Sequence, residues 1–452
     1  MAATLIESLA TTEPLAEIFA DGSVLQAMLD FEVALARAEA RVGIVPESAA
    51  DRIAALAQAS EFDVHALSRS TFRAGTPAIP VVKALTEKVR AREPEAAGWV
   101  HWGATSQDVA DTVLVLLLKR ARTILAGDLQ RLEKALITLS GQHKATVMLG
   151  RTLMQAAPPV TFGLKVAGWL GAVSRGSKRL ESAFDEALVL QFGGASGTLA
   201  SLGDKGVVVA RALAQELELK CPEAPWHTHR DRLADLVCCC GVLTGSLGKM
   251  ARDISLLMQS EVAEVAEPGG KGRGGSSTMP HKRNPIACAL TLAAAQRVPG
   301  LVASLLSAMV QEHERAVGGW QSEWPTVASI TQSTGSALSS MAEVAEGLSV
   351  DPSRMRQNIA NTNGVIFAER VTMLLAAELG RDVAHKLLEE AIQKSLAKNK
   401  DLSALLAELP EVSSRLNRSV LDQFTIPEQY LGSAEAFREA LLNRTASNKG
   451  EQ

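Results

Sequence analysis

The chain has 452 residues, 47% apolar, 21% charged and only 4% aromatic, with a formal net charge of −4. Its length exceeds what one hydrophobic core normally fills, so two or three domains are expected. The near-neutral, dispersed charge excludes a general nucleic-acid or acidic-membrane surface, and the aromatic-poor, Ala, Leu and Val-rich mixture favours packed helices over a β-sandwich.

The first four residues, Met1-Ala2-Ala3-Thr4, carry no basic region followed by a signal-peptide core. The densest aliphatic run, Val113 to Leu118, ends at Lys119-Arg120, and a cytoplasmic location is therefore expected. Up to about residue 107 the pattern reads as shorter helices and loops, with Gly75-Thr76-Pro77 and Ile79-Pro80 interrupting periodicity.

Long proline-free stretches follow, from Glu95 to Ala157, Val160 to Cys221, His227 to Glu267 and Thr326 to Asp351, and they fit long helices. In the third, Leu233, Leu236, Val237, Cys240, Leu243, Leu247, Met250 and Ile254 recur at three- and four-residue steps, as one buried helical face does. A helix from Asp231 to Glu267 would be about 55 Å long, the scale of a bundle. Gly241, Gly245 and Gly248 each cost such a helix about 1 kcal/mol relative to Ala, a cost that close packing can offset. Helices this long, apolar on more than one face, call for burial against further copies of the chain, hence a homo-oligomer.

Cys238, Cys239 and Cys240 point about 100° apart on a helix and cannot converge on one metal, so the five cysteines read as thiols, mostly core, with no metal and no disulfide ladder. Beyond Asn363-Gly364, shorter amphipathic helices are expected at Arg381 to Ser395, Leu402 to Glu408 and Ala434 to Leu442.

The strongest local signal is the segment Gly269 to Asn284, which opens with five glycines in seven residues and ends at Asn284-Pro285-Ile286, a helix-start pattern. Read from its residues alone, it is a functional lid, a solvated hinge, a phosphate cradle or a nucleic-acid contact; a P-loop is excluded because its register is absent.

Gly275-Ser276-Ser277-Thr278-Met279-Pro280-His281-Lys282-Arg283-Asn284-Pro285 resembles the GSSxMPxKxNP signature of the fumarase/aspartase superfamily. That resemblance implies an all-α, three-domain fold whose central long-helix bundle assembles into the multi-helix core of a homotetramer, with active sites shared between subunits. On this chain the divisions fall at 1–107, 108–362 and 363–452. It also implies that Ser276 is the proton-transferring base and that Lys282 and Asn284 hold a substrate carboxylate.

His101-Trp102-Gly103-Ala104-Thr105-Ser106-Gln107-Asp108 resembles the HxGxTSxD segment of the same superfamily, in which Thr105 and Ser106 inherit a carboxylate-binding role. Hydroxyls and amides at a helix start can hold an anion, or simply cap the helix. Gly150-Arg151-Thr152-Leu153-Met154-Gln155 resembles the GRTHxQ segment with one departure: Leu153, which can neither donate nor accept a proton, replaces a reaction-centre histidine. Gln155 remains a candidate for binding substrate.

His313-Glu314-Arg315 continues into Gly318-Gly319-Trp320 and Glu323-Trp324, a pattern that resembles the bacterial 3-carboxy-cis,cis-muconate cycloisomerases within that superfamily. Arg315 is assigned to the substrate's carboxylates. Trp320 and Trp324 offer surfaces for a planar ligand, or serve as core residues at helical spacing.

The resemblance implies a cofactor-independent enzyme of protocatechuate degradation, acting on a small tricarboxylate with no nucleic acid or membrane partner. A succinyl lyase of the superfamily, a sulfomuconate cycloisomerase and a catalytically silent relative are the competing readings. His101, His229 and His281 remain candidates for a proton role, or for packing; His229 falls where relatives place a substrate-binding glutamine.

Overall fold

A computed structural model describes residues 5–269, Met279 and residues 282–450, with 445–450 as backbone alone. Its principal helices are α1 (Asp21–Arg41), α2 (Ser106–Gln142), α3 (Phe162–Ala187), α4 (Asp231–Leu257), α5 (Ile286–Ala308) and α6 (Gly319–Gly347). Among the described residues two short antiparallel sheets interrupt this helical architecture: β1 (Val147–Thr152) with β2 (Gln155–Thr161), and β3 (Val265–Ala266) with β4 (Ser349–Val350). The expectation of an all-helical fold is met.

The chain divides into two compact units, one of residues 1–130, 175–249 and 290–341, the other of residues 131–174, 250–289 and 342–452. In the first, α1 buries Leu25, Met28, Phe31 and Leu35, at the three- and four-residue steps of one helical face, in a core shared with Val113 and Leu117 of α2. In the second, Val371, Leu375, Leu388, Leu406, Leu421 and Phe424 form a separate core. Its helices occupy Arg381–Lys398 and Leu402–Ala407, close to the spans expected, and the last helix continues from Ala434 to Gly450.

The apolar periodicity of α4 holds residue for residue, since Leu233, Leu236, Val237, Cys240, Leu243, Leu247, Met250 and Ile254 are all buried. Its length is a correction. The helix ends at Leu257 rather than Glu267, about 40 Å long at 1.5 Å per residue. Beyond it the Glu264 amide donates back to the Leu257 carbonyl, and Val265 pairs with Val350, so the backbone groups that would have extended the helix are spent on a sheet.

The helical glycines are partly explained by packing. A Cβ on Gly248 would lie 2.6 Å from the Ala295 Cβ and one on Gly241 3.3 Å from Val302, both on α5, while Gly245 meets nothing within 4 Å. Of the five free cysteines, Cys240 and Cys288 are buried, Cys238 and Cys239 half-buried and Cys221 exposed. Burial pushes the Cys240 thiol up to about 12, which leaves it uncharged and inert at neutral pH.

Candidate active site

The first unit builds a polar cluster around the start of α2. The helix begins at Ser106, and the Asp108 carboxylate, three residues after Thr105, reaches back to accept from the Thr105 amide at 3.0 Å, as the acidic arm of a capping box does. Asp108 also accepts from the amides of Gly193 and Gly194, both at 2.9 Å, from Gln191 Nε2 at 3.2 Å and from His227 Nε2 at 2.9 Å. The sequence permits this convergence through two glycines. A Cβ on Gly193 would lie 2.8 Å from the His227 ring, and Gly194 has φ +67°.

Asp108 is thereby locked, and it locks the loops that meet it. The hydroxyls of Thr105 and Ser106 have no hydrogen-bond partner among the described residues and are half-buried, as groups held ready for a ligand would be. Arg315 donates from Nη2 to the Ala195 carbonyl at 3.1 Å, while its buried Nε has no partner among the described residues. The Thr228 hydroxyl bonds the His313 carbonyl at 3.0 Å, which ties the segment carrying His227 and His229 to that carrying Arg315. His229 itself is exposed.

His101 stands at the rim in the left-handed backbone region, φ 60°, which residues other than glycine seldom adopt. Its Nδ1 lies 2.7 Å from Glu32 Oε1 on α1. Burial works against a charge on the ring, but the Glu32 carboxylate, with Asp108 more distant, outweighs it and raises the histidine pKa above its ordinary value. One heptad along α1, Glu39 is fully buried with neither oxygen paired among the described residues; burial, then the charge of Glu32, pushes its carboxyl up to about 9.

Behind this rim lies a second network, centred on Arg230. The guanidinium forms a double bond set with Asp111, at 2.7 and 3.0 Å, and bonds Glu323 at 2.6 Å, with all three side chains essentially inaccessible to solvent. Burial opposes its charge, but the two flanking carboxylates hold its pKa above the usual arginine value. Burial pushes Glu323 upward in turn.

Trp320, expected from the sequence to face a ligand, belongs to this network. It is 5% exposed, packs against Ala110 and Ala316, and donates from Nε1 to Asp111 at 2.9 Å. Its one polar atom is already committed, so it supports the site from within. Trp324 is partly buried against the same residues.

The second unit carries the remaining candidates. Leu153 and Met154 form the two-residue tip of the β1/β2 hairpin, with φ 49° and 66°, the mirror-image geometry that suits a right-twisted hairpin and normally selects Asn and Gly. They are 97% and 72% exposed, and Gln155 is exposed beside them. The strand just below the tip is fixed: Arg151 donates twice to the buried Glu264, at 2.7 and 3.1 Å, and Asn358 donates to the same carboxylate at 2.7 Å. Gly150 is required at the β-bulge, because a Cβ there would lie 2.2 Å from the Pro158 carbonyl oxygen.

Lys282 is exposed and Asn284 half-buried just before α5. The amides that open this helix, of Ala287 and Cys288, donate to the Glu267 carboxylate at 3.1 and 2.8 Å. The helix start that the sequence offers to a substrate anion is thus taken up by the protein's own carboxylate. Ser276 and His281 lie outside the described residues.

Sequence reasoning missed Glu32, Asp111, His227, Arg230 and Glu323. Asp108 and Glu323 sat inside quoted motifs without a role, and nothing local distinguishes partners 69 to 119 residues apart.

Comparison with known proteins places this geometry in context. Residues 7–300 match a family described as lyase, and residues 364–441 match the adenylosuccinate lyase C-terminus. The chain is 49% identical over 429 residues to a 3-carboxy-cis,cis-muconate cycloisomerase of Pseudomonas aeruginosa, covering 95% of this chain and 94% of that one. It is 48% identical over 423 residues to the same-named protein of Bradyrhizobium diazoefficiens, covering 94% of each. The crystal structure of the 3-carboxy-cis,cis-muconate lactonizing enzyme from Pseudomonas putida superposes with a TM-score of 0.93 at 47% identity, over 98% of this chain and 99% of the other.

Proposed function

The chain belongs to the fumarase/aspartase lyase family, in its branch of 3-carboxy-cis,cis-muconate cycloisomerases, and we propose that it closes 3-carboxy-cis,cis-muconate to 4-carboxymuconolactone. The observation that carries this reading is near-full-length identity to enzymes of that one activity. The chemistry of the hairpin tip agrees with it: Leu153 stands where succinyl lyases need a proton-transferring histidine.

In the proposed reaction a carboxylate oxygen of the substrate adds to a carbon of the conjugated double bond. The electron pair moves onto the carboxylate attached to the neighbouring carbon, giving an aci-carboxylate, and Ser276 delivers a proton to that carbon. One proton enters for the one carboxylate charge consumed. The group that attacks in this direction is the leaving group in the reverse direction, a carboxylate of low pKa that needs no strong general acid, and so leucine at 153 is tolerated.

Lys282, Asn284, Gln155 and Arg315 are assigned to the substrate's carboxylates, with Thr105 and Ser106 at the start of α2. The unpaired Arg315 Nε and the uncommitted hydroxyls support that assignment. His229, exposed at the rim, is the weakest member of the set. The proposed chemistry draws on no cofactor.

The homotetramer is part of the same reading. Helix α5 is long and apolar enough to cross a membrane by length and composition, yet only 28% of its most apolar stretch is buried within one chain; α4, which passes the same test, is 56% buried. Packing α5 against copies of itself removes that apolar surface from water, which supports a subunit core of long helices and a cytoplasmic enzyme.

The test is a spectrophotometric assay with 3-carboxy-cis,cis-muconate beside adenylosuccinate. Loss of diene absorbance with the first and no reaction with the second is the expected result; turnover of adenylosuccinate alone reverses the reading.

A further inference from the structure

We propose that Glu32 is the positioning residue for His101, and that the pair presents a fixed, charged Nε2–H donor to one carboxylate of the substrate. The inference rests on the tricarboxylate substrate proposed above. Its geometry is independent of that reading. The Glu32 side chain is wholly buried on α1, its Oε1 takes the His101 Nδ1 at 2.7 Å, and the imidazole is 19% exposed with Nε2 unpartnered among the described residues.

A structural brace alone does not account for this arrangement. One N–H can be held as well by a glutamine carbonyl, whereas Glu32 places an acid side chain in the interior with its Oε2 unpaired among the described residues, at a desolvation cost. The charge has a use if it stabilises a charge on the ring. The groups that bear on His101 are consistent with one another: Glu32 on α1 and Asp108 on α2 both favour a charge on the ring, Asp108 being shared with His227, while Glu39, on the same face as Glu32, keeps its proton. The left-handed backbone at His101, with Gly103 at φ +70° packed against Leu202, holds the ring at the rim, four residues before Thr105. An anionic substrate supplies the partner that Nε2 lacks.

The expected result concerns KM rather than kcat. In Glu32→Gln the ring loses its charge near neutral pH, Nε2 becomes an acceptor, and KM for 3-carboxy-cis,cis-muconate rises about tenfold at pH 7.5 with kcat within about twofold. The wild-type rise of KM with pH moves to lower pH in this variant. Glu32→Asp, which keeps the charge, restores the wild-type pH dependence with a smaller increase in KM. A folded Glu32→Gln protein whose KM-against-pH curve superimposes on that of wild type overturns the proposal.

Where Glu32→Gln does not fold, hydrogen exchange at the C2 positions of the histidines in the wild-type protein, read residue by residue by mass spectrometry, decides: a His101 pKa above 6.5 supports the pair, and one at or below it overturns the pair. Failure of the substrate reading is separately visible, because the wild-type enzyme then leaves the diene absorbance unchanged while the state of His101 is still measured.

Discussion

Asp108 accepts from five N–H groups with none of its surface exposed, whereas Leu153 stands 97% exposed in a backbone conformation that leucine avoids. Both belong to motifs that carry the family's chemistry, yet they are built on opposite terms. The Asp108 region is tied together inside one chain: Asp108, Asp111, Glu323, Arg230 and Trp320 are all hydrogen-bonded within it, and this rigidity holds Thr105, Ser106 and Arg315 in place. The hairpin is held just below its tip through Arg151 and Glu264, and the apolar tip itself is exposed among the described residues. Strain and exposure of this kind cluster at functional sites, and the expectation that follows is that something docks on the tip.

The largest expected effect lies in neither region. Ser276→Ala should lower turnover at least a thousandfold, roughly 4 kcal/mol of transition-state stabilisation, with unchanged helical circular dichroism. An active, folded variant would remove the serine from the proton-transfer role and shift attention to His101 and the Asp108 side of the comparison. Next in size is the buried network. Arg230→Met leaves Asp111 and Glu323 buried without their cation and should cost about 3–5 kcal/mol, seen as a lowered urea midpoint. A midpoint close to wild type would mean that the closed region owes its rigidity to packing rather than to its charges.

These two predictions also mark what was legible in the sequence. Fold class and the buried face of α4 could be read because helical periodicity is local, as the run from Leu233 to Ile254 demonstrates. The end of α4 could not, because Val265 is drawn from the helix by a strand partner, Val350, 85 residues away in sequence. Motif residues were found and their supports were not. Trp320 read as ligand surface, with a core role as the alternative, until its Nε1 was seen on Asp111, and the helix start at Asn284 looked open until Glu267 was seen on its amides. A side chain's partner across the fold is a tertiary fact that spacing does not encode.

Glu39 sharpens the closed side through pH. Its folded pKa of about 9 lies above the 4.5 of the unfolded chain, so the stability it contributes is fully present below about pH 4.5 and is lost as pH rises toward 9. Glu39→Gln keeps the shape and cannot ionise. The gap in stability between variant and wild type should therefore widen in the variant's favour by about 1.4 kcal/mol per pH unit across that window, as measured by urea midpoints from pH 5 to 9. Parallel curves for the two proteins would show that Glu39 titrates normally and that the buried face of α1 is wetter than its geometry implies.

The smallest effect tests the open side. Replacing Leu153 by Asn and Met154 by Gly gives the hairpin residues that its left-handed turn favours, and should raise the thermal midpoint by an amount equivalent to about 1 kcal/mol. Turnover should fall at the same time, because the apolar surface that the strained tip presents is gone. Gly150 and Arg151 are untouched, so the strands below the tip still hold their register. A variant that gains stability and keeps full activity would show that the strain at the tip serves nothing, and the contrast with Asp108 would reduce to one between a core and an ordinary loop.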